Sequence, residues 1–502
     1  MTMKLRIKKA TIARFIAVAA LMGLPLLSAC SVNPATGKQS FTAFMSPERE
    51  KEVGRQEHEK ILDQFGGVYD NPELGAYIAR IGGTLARQSE MPNLTFTFTV
   101  LNDPKINAFA LPGGYVYITR GLLAIAADEA EVAGVLGHEI GHVTARHTAQ
   151  RYSAAMATNI GLQVLGAIGS VAGVPGGAGQ LASLGAQIAL QSYSREQELE
   201  ADMLGMRYIT RAGYDPDSMA DFFRKLKAQT ALEDKMNNRK DSTEKSSIMA
   251  THPLTSERIV DVEKLAAAAK VPGRTRNRDV YENKIDGMIF GDDPEQGVVK
   301  GRLFEHPSLG IRFEVPPDFA LINQPKQVIA HGPDDAVIVF SMADLKNVRA
   351  ARDLAGYIGR YWMAKVGPKN IERLTINGMA AATGSGRIQI NGKPYDARGV
   401  VIRKDRNNIF RLLFLSLPEK TASLAEGYQR TTYSFRKLSA REAAAITPLR
   451  IAFRTVGKGD TAETFARRMP MENFALDWFE LLNGIKHGEP LVPGSRVRVV
   501  TE

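Results

Sequence analysis

The stretch AEVAGVLGHEIGHVTARH sets His138, Glu139 and His142 in an otherwise apolar segment, and this constrains the chain more than any other feature. On an α-helix, residues i and i+4 lie one above the other on the same face, about 6 Å apart. Both imidazoles can then reach a single Zn²⁺, while Glu139 on a neighbouring face can take a proton from an attacking water. The competing reading is a surface helix that happens to set His beside Glu, and it fits the apolar flanks poorly. The spacing points to zinc-assisted hydrolysis.

A chain of 502 residues is too long for one core, so several domains are expected. Its 44% apolar and 24% charged residues are ordinary for a globular protein. The net charge of +10 invites a nucleic-acid partner, but its distribution argues against one. Half of the excess sits on Lys4, Arg6, Lys8, Lys9 and Arg14, in a stretch of 29 residues without an acid, and no long basic run follows. No nucleic-acid role is expected.

That N-terminal stretch reads as an export signal. A basic MTMKLRIKKATIAR precedes an apolar FIAVAALMGLPLL that is too short for a comfortable membrane span. It ends at Leu27-Ser28-Ala29-Cys30, which resembles the bacterial lipobox, and Cys30 is the only cysteine, so no intramolecular disulfide can form. Residues 1–29 are therefore expected to be a lipoprotein signal peptide, with lipidation at Cys30 tying a periplasm-facing protein to a membrane. Ser31, in place of Asp, favours the outer membrane. The alternative is a plain signal peptide with an incidental cysteine.

Helical patterning runs from Ser46 to about Ser89, followed by strand-like LTFTFTV and GYVYIT. Between these strands, INAFALPGG ends in a Pro112-Gly113-Gly114 turn. A metal helix is predicted from about Asp128 to Arg151. Residues 152–194 carry no charged side chain and read as core helices, a lid or a membrane contact. Ser194 with Gln197 forms a predicted capping box, and Gly213 with Pro216 a stop. Residues 30–272 form the expected catalytic domain and 273–300 a turn-rich linker. An α+β domain without a chemical motif follows at 301–440, and a small module at 450–502.

Two imidazoles leave a catalytic zinc one protein ligand short. The helix SREQELEADMLG offers Glu196, Glu198, Glu200 and Asp202. At about 100° per residue, Glu198 and Asp202 fall beside the apolar stripe of Leu199, Met203, Met206 and Ile209, whereas Glu196, Glu200 and Arg207 share the opposite, solvated face. A core-facing carboxylate is expensive unless paired or metal-bound. Glu198 is thus the third metal-ligand candidate, and Asp202 can accept a hydrogen bond from a ligating imidazole or an Arg. His147 lies about 140° from His142 if the helix is continuous, so it is read as structural. His58, His306, His331 and His487 have no partner pattern and are expected at the surface.

HEIGH, the downstream Glu198-Leu199-Glu200-Ala201-Asp202, and the segments INAFALPGGYVYITRGLL and THP together resemble the gluzincin metalloendopeptidases, the group of HtpX, BepA and the CAAX prenyl endopeptidase. The resemblance spans about residues 45–270. It implies a mainly α, zincin-like catalytic domain with one Zn²⁺ per chain, held by His138, His142 and Glu198. Glu139 would be catalytic and Asp202 supporting or proton-donating, with polypeptide substrates. The chain lacks the flanking transmembrane helices of some members and sits nearer the periplasmic lipoprotein branch. By the same resemblance, His252 in Thr251-His252-Pro253 approaches the cleft, to stabilise an oxyanion or occupy the open zinc position; the alternative is an ordinary loop histidine. INAFALPGG could bind substrate as an edge strand, with Asn107 and Gly114 near the cleft, or be a simple strand-turn-strand.

The C-terminal RTVGKGDTAETFARRM and LVPGSRVRVV resemble a degenerate LysM module of βααβ order. That resemblance implies peptidoglycan contact, against a glycan-indifferent cap as the alternative. The resulting expectation is a multidomain zinc metalloendopeptidase of the bacterial envelope engaged in protein quality control. Its rivals are a chaperone-like or peptidoglycan-binding assembly factor with a latent protease site and, more distantly, a peptidoglycan amidase.

Overall fold

A computed structural model describes residues 30–169, 191–236, 247–271 and 274–502. The expected signal peptide and residues 170–190 of the uncharged 152–194 segment lie outside the described residues. Among the described residues, no helix is long and apolar enough to cross a membrane. The chain forms two units. Among the described residues, one comprises residues 30–62, Val68–Met288 and Ile451–Val499, and the other comprises Asp63–Gly67, Ile289–Arg450 and Val500–Glu502.

The first unit begins with a hairpin, β1 (Cys30–Val32) and β2 (Gln39–Phe41), and the helices α1 (Pro47–Gln64) and α2 (Pro72–Arg87). Asn71 caps α2 by accepting from the Leu74 amide, and Leu74, Ile78, Ile81 and Leu85 bury one face at helical spacing. Three strands follow: β3 (Thr97–Leu101), β4 (Ala108–Leu111) and β5 (Tyr115–Thr119). β5 is central, parallel to β3 and antiparallel to β4, which leaves β4 at an edge.

Next come α3 (Arg120–Ile125) and the metal helix α4 (Glu129–Thr144), capped by Asp128 accepting from the Glu131 amide. α4 ends earlier than the predicted Arg151. Arg146 adopts a left-handed φ of 57°, and a separate helix, α5 (His147–Gly169), begins after it. A non-glycine residue there costs about 1–2 kcal/mol, so tertiary contacts must hold the break. Arg146 supplies them by donating to Glu50 Oε1 (2.8 Å), the Met45 carbonyl (2.6 Å) and Ser31 Oγ (3.1 Å).

The helix α6 (Arg195–Arg211) starts in the expected capping box, with Ser194 and Gln197 each accepting from the other's amide. It is followed by α7 (Asp217–Met236), α8 (Ser247–Thr251), α9 (Ser256–Ala268) and α10 (Arg278–Ile285). α10 falls within the stretch read as a linker, yet Tyr281 and Ile285 are fully buried. The Tyr281 hydroxyl donates to the Leu123 carbonyl, and Arg276 pairs with Asp128, Asp215 and Asp221. The turn-rich composition of 273–300 hid a helix because its anchors are distant in sequence.

The second unit is built on seven antiparallel strands. In chain order they are β6 (Ala320–Gln324), β7 (Gln327–His331), β8 (Val337–Met342), β9 (Lys369–Ile376), β10 (Met379–Ile390), β11 (Lys393–Arg403) and β12 (Ile409–Ser416). Their order across the sheet is β6-β7-β8-β12-β11-β10-β9. Aromatic residues form a chain through one core, where Phe313 packs on Phe340, Phe340 on Phe410 and Phe410 on Phe435.

The C-terminal stretch has the order β13 (Leu449–Thr455), α11 (Ala462–Ala466), α12 (Ala475–Asn483) and β14 (Arg496–Thr501), with the two strands side by side. Its residues 451–499 belong to the first unit. There the buried Arg498 donates to the carbonyls of Ala124 and Ala126, just ahead of the metal helix.

Candidate metal centre

Close approach of α4 and α6 creates the site, and small residues permit it. A Cβ on Gly205 would stand 2.8 Å from the His138 amide nitrogen, and one on Gly141 would stand 3.0 Å from the Ala201 carbonyl. Glycine inside a helix costs about 1 kcal/mol relative to alanine, so these positions trade helix propensity for proximity. The approach carries Glu198 of α6 to the histidines of α4.

Four side chains converge. Ligand atoms of His138, His142, Glu198 and His252 all lie within 4.8 Å of one another, and all four residues are buried. His142 Nε2 is 3.0 Å from His138 Nε2, and the two nitrogens are 3.4 and 3.5 Å from the Glu198 carboxylate. His252 Nδ1 is 3.2 Å from His138 Nε2 and 3.0 Å from Glu198 Oε1. Glu139 is buried beside them, 3.4 Å from His252 Nε2.

The donor set fits a cation. His138 turns Nδ1 toward Asp202 Oδ1 at 2.9 Å, and His142 turns Nδ1 toward His147 Nδ1 at 2.8 Å. With both rings protonated on Nδ1, two Nε2 lone pairs face each other and a carboxylate in a buried pocket. A divalent ion satisfies all three, and two imidazole nitrogens with one carboxylate form a common catalytic zinc set.

Outer partners differ on the two sides. Asp202 lies between His138 and Arg258, accepting from Arg258 Nε and Nη2 at 2.7 Å each, so both kinds of partner expected of it are present. Arg258 also pairs with Glu198 at 2.5 Å and donates to the Pro253 carbonyl. Behind His142, the structure departs from the helical-phase expectation. The break at Arg146 swings His147 back against His142, and His147 Nε2 lies 3.1 Å from Glu200 Oε2. Glu200 is therefore not simply solvated; its side chain is only 13% exposed. The Tyr193 ring stacks on His142 with 3.7 Å between centroids, and the Arg151 guanidinium covers that ring.

These surroundings shift the acid–base groups. Burial pushes the Glu139 carboxyl up, against the pull of His252 and His138. Burial also holds the His142 imidazole well below its ordinary range. For Glu198, burial opposes ionisation but is outweighed by His252 and by hydrogen bonds from His142 and His252, so its carboxyl falls well below the usual range. In Asp202, Arg258 overcomes the same burial penalty and lowers the carboxyl.

The remaining candidates are not among the four converging side chains. Asn107 is buried where β4 begins, its backbone paired with Thr119 and its Oδ1 without a hydrogen-bond partner among the described residues. Gly114 serves the turn: its φ is 93°, and a Cβ would strike the Thr95 carbonyl at 2.5 Å. His331 and His487 are exposed, whereas His58 is half-buried with its Nδ1 2.7 Å from the Tyr117 hydroxyl. His306 is also half-buried, and burial lowers its imidazole to about 4. Arg258, Tyr193, His147 and Glu200 were not read as parts of the site. Only Arg258, soon after the THP motif, left a local trace in the sequence.

Residues 72–266 match the family model described as "Peptidase family M48". The "Beta-barrel assembly-enhancing protease" of Yersinia pestis is 31% identical over 278 residues, covering 53% of this chain and 54% of that protein. Its namesake in Escherichia coli strain K12 is 32% identical over 207 residues, covering 40% of each chain. "Metalloprotease LoiP" of the same strain is 27% identical over 227 residues, covering 45% of this chain and 83% of its own length. The chain thus spans about half or less of the assembly-enhancing proteases it matches.

Proposed function

We propose, from the premise that residues 72–266 form a domain of peptidase family M48, that the chain is a zinc metalloendopeptidase of the bacterial envelope. Its substrates are polypeptides, with quality control of periplasmic or outer-membrane proteins as its role. The observation that carries this reading is the buried convergence of His138, His142 and Glu198 beside Glu139. His138, His142 and Glu198 hold one Zn²⁺ per chain, which when bound supplies Lewis acidity to the scissile carbonyl and to water. Glu139, raised by burial, accepts the proton of the attacking water and returns it to the departing amine. Asp202 has its oxygens engaged by His138 and Arg258, which favours an orienting role over proton donation. The edge strand β4 with Asn107 can align substrate backbone by β-augmentation.

Glu139→Gln should lower cleavage of an unfolded protein by about 10²–10⁴-fold. Zinc content should stay at one per chain. Undiminished proteolysis, or wild-type protein with well under one zinc, would refute the assignment.

A second reading rests on His252, whose Nδ1 already lies among the metal donors. With His252 there the protease is latent, and the chain serves chiefly as an assembly factor. Lipidation of Cys30 ties it to the outer membrane, and the LysM-like order of 450–502 provides peptidoglycan contact. If Glu139→Gln reproduces the deletion phenotype, proteolysis is the function; if the variant behaves as wild type, binding is.

A further inference from the structure

We infer that His147 and Glu200 are positioning residues for the metal centre, forming a two-member relay that fixes the tautomer and ring plane of His142. The inference rests on the zinc reading above and adds residues to it. Proton bookkeeping admits one arrangement. His142 presents Nε2 to the donor cluster, so a neutral, ligating ring carries its proton on Nδ1. That Nδ1–H points at His147 Nδ1, 2.8 Å away, which must accept it. His147 then carries its own proton on Nε2 and donates to Glu200 Oε2 at 3.1 Å. Every donor and acceptor along the line is used, and the line ends on an anion.

Each step is buried enough to matter. The His147 side chain is fully buried and that of Glu200 is 13% exposed. An unpaired Nδ1–H on His142 would carry the desolvation penalty of a buried donor without an acceptor. The flipped tautomer would pair that nitrogen but turn a proton toward the metal. The anion is itself anchored: Glu200 Oε1 lies 3.5 Å from Asn33 Nδ2 and 3.9 Å from Lys38 Nζ, in the β1–β2 hairpin that begins at Cys30. The relay depends on the left-handed backbone at Arg146, without which His147 would point away from His142.

The test measures zinc affinity of the full chain by competition with a chelator of known affinity, alongside the visible absorption of the Co²⁺-substituted protein. Glu200→Gln is nearly isosteric and keeps the fold. It and His147→Ala should each weaken zinc binding about 10–100-fold and shift the Co²⁺ bands. The double variant should bind zinc no more weakly than His147→Ala, because the two act in series. His147→Gln, which can accept through its carbonyl and donate through its amide, should recover part of the loss. Wild-type protein with one tight zinc and unchanged affinity in both single variants would overturn the relay and leave the zinc reading intact. A loss in His147→Ala that neither Glu200→Gln nor Glu200→Leu, which has no acceptor at all, shares would reduce His147 to packing and also overturn it. Wild-type protein without zinc would overturn the zinc reading itself.

Discussion

His138 and His142 stand one turn apart on one helix, yet they are supported from behind in different ways. Behind His138 is a carboxylate, Asp202, clamped by the guanidinium of Arg258. Behind His142 is a second imidazole, His147, ending on Glu200 at the edge of solvent. The first support is short, fully buried and charge-compensated. The second is longer and leans on the N-terminal hairpin. The comparison shows two routes to the same requirement, a ring held with Nε2 free: direct pairing with a buried ion, or relay to a less buried one.

Breaking the first support should have the largest effect. In the metal-free protein, Arg258→Ala removes the one guanidinium that pairs both Asp202 and Glu198 and should destabilise the fold by about 3–5 kcal/mol, read by denaturant titration. A loss under about 1 kcal/mol would mean that water or rearrangement compensates them. Asp202→Asn keeps the shape and removes the charge, and should weaken zinc binding about 10–100-fold. Its loss should exceed that of Glu200→Gln, because Asp202 contacts its imidazole directly; the reverse order would invert the comparison. Gly205→Ala tests the shared seam. Its Cβ would press on the His138 amide, costing about 1–3 kcal/mol and displacing both rings together. The smallest effect is expected at Arg146→Gly, which relieves the left-handed strain but loses three hydrogen bonds, for a net loss of about 1 kcal/mol. A stabilised variant would show that glycine alone can hold the break.

Much of the site was legible where local periodicity holds. Glu198 and Asp202 lie on an unbroken helix, so their angular position relative to Leu199 and Ile209 was readable from spacing and carried them to the buried side. The same reasoning assigned Glu200 to solvent and His147 to a distant face, and both fell short for one reason: α4 does not continue through Arg146. The linker expected at 273–300 hid α10 for a related cause, since Arg276 and Tyr281 find their partners about 60 to 160 positions away.

The sequence alone singled out the groups that could hold a metal, because HEIGH and the helix of Glu198-Leu199-Glu200-Ala201-Asp202 concentrate metal-binding side chains at helical spacings that few other structures require. Only the tertiary structure decided how those groups are held. A left-handed residue fixed by Glu50, Met45 and Ser31, a glycine seam between two helices and an arginine from α9 are contacts between distant segments, and helical periodicity carries no information about them.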